Sequence, residues 1–145
     1  MAGVDRRRAV KLALKHEPPR GLFKRLFHRL TAARLVTRYP HAGIVIGDQL
    51  MHSNLANGLH SETFRPEGWD LFDLGDADEL AQARFRDFEG TPYDVFSLLA
   101  FILPWRVSDS SRMYCYEWCW LAITGTQPRR RVTPEDLLAL IASKK

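Results

Sequence analysis

Apolar and polar residues alternate along Val10-Lys-Leu-Ala-Leu-Lys15, the period of a half-buried β-strand. Glu17-Pro-Pro-Arg-Gly21 ends it with turn residues. The period then lengthens. Leu22, Phe23, Leu26, Phe27 and Leu30 form the stripe of an amphipathic helix, with Lys24, Arg25 and Arg29 opposite. Packing on the protein's own core is the expected use of that stripe, ahead of a membrane surface.

A β-branched run, Pro40-His41-Ala-Gly-Ile-Val-Ile46, predicts a buried strand. Gly47-Asp48 turns the chain, and Gln49 to Ser53 returns as the second arm of a hairpin. Asn57-Gly58 is a further turn before a short strand near Leu59 to Phe64, and Trp69 to Asp73 predicts another. Helical periods come next. Asp76 is placed to cap a helix running to about Glu89, with Leu80, Ala83, Phe85 and Phe88 inside. Gly90-Thr-Pro breaks it, and Tyr93 to Phe101 predicts a second helix. Hydroxyls at Ser108 to Ser111 can cap a third, from Arg112 to about Ile123, which Gly125 stops. Thr133-Pro134-Glu135-Asp136 is a capped start for a last helix through Leu137, Leu138, Leu140 and Ile141. This order predicts an α+β fold: a small antiparallel sheet packed against helices.

Composition narrows the class. The 145 residues are 46% hydrophobic and 26% charged, with eight Phe, four Tyr and four Trp, which suits one globular domain and excludes a disordered or fibrous chain. The expected division is a basic leader at 1–9, a core at 10–124 and a C-terminal helix at 125–145. No apolar run approaches the ~18 residues of a membrane span. Lys11 and Lys15 interrupt the apolar stretch after the arginines at 6, 7 and 8, so no Sec signal and a cytoplasmic site of synthesis are expected.

Charge is unevenly placed. Residues 1–40 hold eleven Lys and Arg against Asp5 and Glu17, a net of +9, while the remainder holds ten against fifteen, a net of −5. The basic end could meet an anionic polymer or be a solvated face, and charge alone does not choose. No nucleic-acid-binding module is recognisable, so no specific nucleic-acid partner is expected.

Chemistry rests on few residues. Cys115 and Cys119 are four apart, which excludes a disulfide scaffold and paired C-x-x-C zinc sites. Each thiol can be buried or reactive. Cys115 falls in the first turns of a predicted helix, where free N–H groups favour thiolate, whereas Cys119 sits among tryptophans. His41 and His52 lie on the two arms of one hairpin, which can bring their rings together. Taken alone, each of these residues is more often structural than catalytic. His60 is expected to be exposed or structural, and Glu117 an anchor. With no carboxylate cluster near them, the histidines fall short of a zinc site, and no cofactor is expected.

His41-Ala-Gly-Ile-Val-Ile-Gly-Asp-Gln-Leu-Met-His52-Ser resembles the histidine hairpin of NlpC-type, papain-like cysteine peptidases. Here the second histidine comes one residue early. The cysteine follows the hairpin, in Tyr114-Cys115-Tyr116-Glu117-Trp118, an order similar to the circularly permuted branch that includes YiiX-like and phage-encoded proteins. Gly90-Thr-Pro-Tyr93-Asp94 resembles that branch's G-x-x-Y-D, and the likeness spans roughly residues 10–124. Tyr116 departs from the usual Ser.

The resemblance implies a permuted papain-like fold with Cys115 as nucleophile in a thiolate–imidazolium pair, His41 as general base and acid, and His52 as orienting residue. It implies hydrolysis of an amide bond, with peptidoglycan stem peptides or another peptide or acyl substrate as partner. Such an enzyme would reach a wall by lysis, a phage tail or a secretion system. Two alternatives stay open: acyl chemistry on lipid esters or thioesters, and a non-catalytic phage or secretion-system component using the fold for binding.

Overall fold

The computed structural model describes residues 9–16, 39, 41–54, 56–75, 77–93, 113–130 and 132–144. Among them, five strands run β1 (Val10–Lys15), β2 (His41–Ile46), β3 (Gln49–Asn54), β4 (Gly58–Thr63) and β5 (Trp69–Asp73). They form one sheet in the order β4-β3-β2-β1-β5, with every neighbouring pair antiparallel. Three helices complete the order: α1 (Asp78–Phe88), α2 (Cys115–Thr124) and α3 (Pro134–Ser143). The architecture is α+β. The helices expected from Leu22 and from Tyr93, and the serines at 108–111, fall largely or wholly outside the described residues, as do most of the basic residues of 1–40.

Alternation sorts the sheet into two faces. Val10, Leu12, Leu14, Ala42, Ile44, Ile46 and Leu59 enter the main core beneath the helices. Ala13, Val45 and Leu50 form a smaller cluster on the other face, under Phe64 and Trp69. Burial on both sides explains why β2 reads as a continuous apolar run. Ile46 pairs with Gln49, so the β2–β3 turn has two residues, with Gly47 at φ +63°.

α2 is buried almost all round, as its composition requires: Cys115, Tyr116, Trp118, Cys119, Leu121, Ala122 and Ile123 are in the core. It begins at Cys115, later than the expected start near Arg112. Tyr114 is extended, at φ −95° and ψ 169°, and the Met113 N–H donates to the Pro92 carbonyl instead of opening a helical turn. α1 lays Phe85 edge-on to Trp118, with centroids 5.8 Å apart. Its buried pair is Ala81 and Phe85, one turn apart. Of the expected Leu80, Ala83, Phe85 and Phe88, Phe85 is buried and Phe88 packs half-buried against the core, while Leu80 and Ala83 are only half-buried. Ala77 occupies its N-cap without a side-chain cap. α3 starts as its sequence predicts, with a reciprocal Thr133–Asp136 capping box and Pro134 in the first turn. Its Leu137 and Ile141 complete the main core.

Candidate active site

Register assembles the site. Lys15 pairs with both His41 and Trp69, and His52 pairs with His60, so these side chains share the sheet face opposite the helices. His41 Nε2 and His52 Nδ1 are 2.7 Å apart. Trp69 walls the pair, its ring centroid 5.8 Å from that of His41, and Lys15 Nζ lies 5.3 Å above the same indole. Gly43 makes room between them. A Cβ there would stand 2.6 Å from Leu50 Cδ1 and 3.1 Å from His52 Cβ.

The β2–β3 ladder stops at Ile44–Met51, and beyond it the segment bearing Cys115 engages both strands. Trp118 Nε1 donates to the Met51 carbonyl at 2.8 Å, and Ser53 Oγ donates to the Met113 carbonyl at 2.8 Å. Tyr116 Oη donates to the Tyr39 carbonyl at 2.6 Å, and Tyr39 Oη to Asp70 at 2.6 Å, tying the approach to β2 down on α2. The Cys115 sulfur accepts the backbone N–H of Ala42, the residue after His41, together with its own N–H and that of Tyr116. The nucleophile candidate therefore occupies the first position of a helix beside the Ala42 peptide, whereas the His41 ring stands on the other face of the sheet with His52. The structure brings the two histidines together but shows no hydrogen bond between the Cys115 sulfur and a His41 ring nitrogen.

Electrostatics differ from the expectation of a preformed thiolate–imidazolium pair. Burial pushes the Cys115 thiol up to about 12, outweighing the three N–H groups that pull it down. Burial also drives His41 well below the usual imidazole range, helped by charge on His52, Lys15 and His60. His52 falls to about 4 by burial, against the opposing pull of Glu62. Thiol and imidazole are both neutral at rest. Cys119 is raised well above the usual thiol range by burial, and no backbone donor offsets it.

Two residues of this site escaped the sequence. His60 lies partly buried with its ring centroid 4.6 Å from that of His52, and Glu62 Oε1 stands 3.2 Å from His52 Nε2. The signal available was period two: His60 and Glu62 share a strand face. Only the β3–β4 register turns that face towards His52. Two surface hollows lie elsewhere, one along α1 beside Glu79, Leu80 and Arg86, the other beside Trp120, Arg129 and Arg130. Among the described residues no helix is long and apolar enough to cross a membrane.

Compared with protein-family models, curated proteins and solved structures, the chain matches none of them.

Proposed function

We propose that this chain is a thiol hydrolase of the permuted papain-like type. The observation that carries the reading is the 2.7 Å contact between His41 Nε2 and His52 Nδ1 at the strand end where the Ala42 N–H holds the Cys115 sulfur. Glu62 beside His52 Nε2 favours a proton on that nitrogen. His52 Nδ1 then accepts from His41 Nε2–H, which leaves His41 Nδ1 with a free lone pair.

In this reading Cys115 attacks a carbonyl while His41, whose ring must turn around the strand end from its resting contact with His52, takes the thiol proton. Because burial holds both groups neutral, that proton moves during attack rather than before it. The Cys115 N–H at the helix start is the first donor for the developing oxyanion. His41 next protonates the leaving group and then activates water to release the acyl group. His52 fixes the tautomer and orientation of His41. The motifs shared with NlpC-type peptidases make an amide of a peptidoglycan stem peptide the preferred substrate, with lipid esters and thioesters the other acyl class.

One observation favours a second reading. Cys115 is 1% exposed, which suits a non-catalytic binding component whose thiol is packing. A single experiment separates the two. Wild type and Cys115→Ala are incubated with peptidoglycan fragments, lipid esters and thioesters, and products are read by mass spectrometry. Cleavage by wild type alone supports the hydrolase. No cleavage of any class by either protein supports the binding component.

A further inference from the structure

Glu62, His60 and His52 make an arrangement that proton transfer between Cys115 and His41 does not require. His52 is 6% exposed, and its buried Nε2 stands 3.2 Å from Glu62 Oε1, an ion-pair contact that pulls the imidazole pKa up but is too poorly aligned to be a full hydrogen bond. His60 Nε2 is also buried and makes no hydrogen bond, 3.6 Å from Glu62 Oε2. The other nitrogen of His60, Nδ1, is 2.9 Å from the Gly58 carbonyl and can only donate to it. In the neutral ring that bond forces a lone pair onto Nε2. A ring lone pair therefore faces a carboxylate oxygen with nothing positive between them.

A cation resolves that conflict. One atom from each of His52, His60 and Glu62 lies within 4.8 Å of the other two. Tetrahedral zinc with bonds of about 2.0–2.2 Å separates its ligands by roughly 3.3–3.6 Å. The carboxylate reaches one imidazole with each oxygen, Oε1 at 3.2 Å from His52 Nε2 and Oε2 at 3.6 Å from His60 Nε2. A small rotation of the exposed Glu62 brings a single oxygen to that spacing. Two imidazoles and one carboxylate suit zinc or cobalt better than magnesium or calcium, which prefer oxygen throughout. The Gly58 carbonyl would be the outer-shell acceptor that orients a ligating histidine.

We propose that His52, His60 and Glu62 bind a divalent cation of the zinc class, and that its binding reverses the hydrogen bond between His52 and His41. Metal on His52 Nε2 leaves the ring's proton on Nδ1. Nδ1 then donates to His41 Nε2, and the His41 proton shifts to its Nδ1, the nitrogen that must be free to accept from Cys115. The cation switches off the base without touching it. The binding site stands on its own geometry; the inhibitory consequence rests on the hydrolase reading.

The test uses full-length Cys115→Ala protein, which removes the thiol as a competing ligand. Zinc is titrated by calorimetry, cobalt(II) by its visible spectrum, and imidazole tautomers are followed by ¹⁵N NMR. The expected result is one ion per chain, with affinity lowered at least ~10-fold by His60→Ala and by the exposed Glu62→Gln. The proton on His41 should move from Nε2 to Nδ1 when zinc binds. Absence of binding, or binding that both substitutions leave unchanged, overturns the site. Binding with an unchanged His41 tautomer overturns the switch. If the wild type cleaves a substrate, zinc should inhibit it and not His60→Ala. Absence of cleavage counts against the hydrolase and leaves the titration and NMR results to decide the site and the switch.

Discussion

His41 Nε2 meets His52 Nδ1 at 2.7 Å just beyond the point where the β2–β3 ladder stops, so the contact is made by side chains where the backbones are not paired. Its direction depends on the tautomers of the two rings, with Glu62 Oε1 3.2 Å from the far nitrogen of His52. Gly43 leaves the space beside Leu50 and His52 in which the rings meet.

Substitutions should separate the two histidines. His41→Ala is expected to lower turnover about 10²–10⁴-fold, the usual contribution of a positioned proton carrier. His52→Ala should cost less, and His52→Asn or His52→Gln less again, because an amide oxygen still accepts the His41 N–H. His60→Ala should change little in metal-free buffer. Steady-state rates on a cleaved substrate give the ranking, and equal losses for His41→Ala and His60→Ala would falsify these assignments.

Gly43→Ala tests the packing that admits the pair. The new methyl must displace Leu50 Cδ1 and press on His52 Cβ, as overpacked cores do at about 1–3 kcal/mol. Denaturant unfolding should show that loss, and the ¹⁵N resonances of His41 and His52 should lose their mutual hydrogen bond. A variant as stable as wild type with unchanged resonances contradicts the role given to Gly43.

Both thiols should make the fold sensitive to alkali. Cys115 has its folded value raised from 9.0 to about 12, so the native state holds a proton that the unfolded chain releases. Stability is then complete below about 9 and declines as pH rises towards 12. Cys115→Ala should flatten part of that decline in urea melts taken across the window. Iodoacetamide should label Cys115 slowly at neutral pH and faster as pH rises, contrary to the easy labelling that a helix N-terminus alone predicts. Cys119, with no N–H offsetting its burial, should lag behind it at every pH, and the reverse order would exchange their roles.

Tyr116 gives a further test, since the permuted NlpC-type pattern has Ser there. Its hydroxyl donates to the Tyr39 carbonyl and its ring is fully buried. Tyr116→Phe should cost about 1 kcal/mol for the lost bond. Tyr116→Ser should cost about 3 kcal/mol or more, because it leaves a cavity where the ring packed. Thermal melts read both, and a Ser variant that gains stability would show that the ring is not a support.

Local patterns carried much of the fold in the sequence. Alternation in Val10–Lys15, the β-branched run after His41, Gly47-Asp48 and the Thr133-Pro134 start each specify their element through nearest neighbours. They placed His41 and His52 on adjacent antiparallel strands and Cys115 near a helix start. The exact start was not legible, because the Met113 N–H is claimed by Pro92 from a distant segment. Nor was the helix face of α1, where Ala81 and Ala83 differ only in which one the core encloses.

The rest belongs to the tertiary structure. A strand's own residues state which of them share a face, and not which strand that face will meet. Pairing β3 with β4 set His60 against His52 and brought Glu62 to their nitrogens, turning two isolated histidines into a three-ligand cluster. Burial decided the charge states as well. A helix N-terminus in sequence argues for thiolate, but the cost of ionising a sulfur enclosed by Ala42, Tyr116 and the core exceeds what three N–H groups return. Desolvation depends on everything that surrounds a group, and that is settled only when the chain has folded around it.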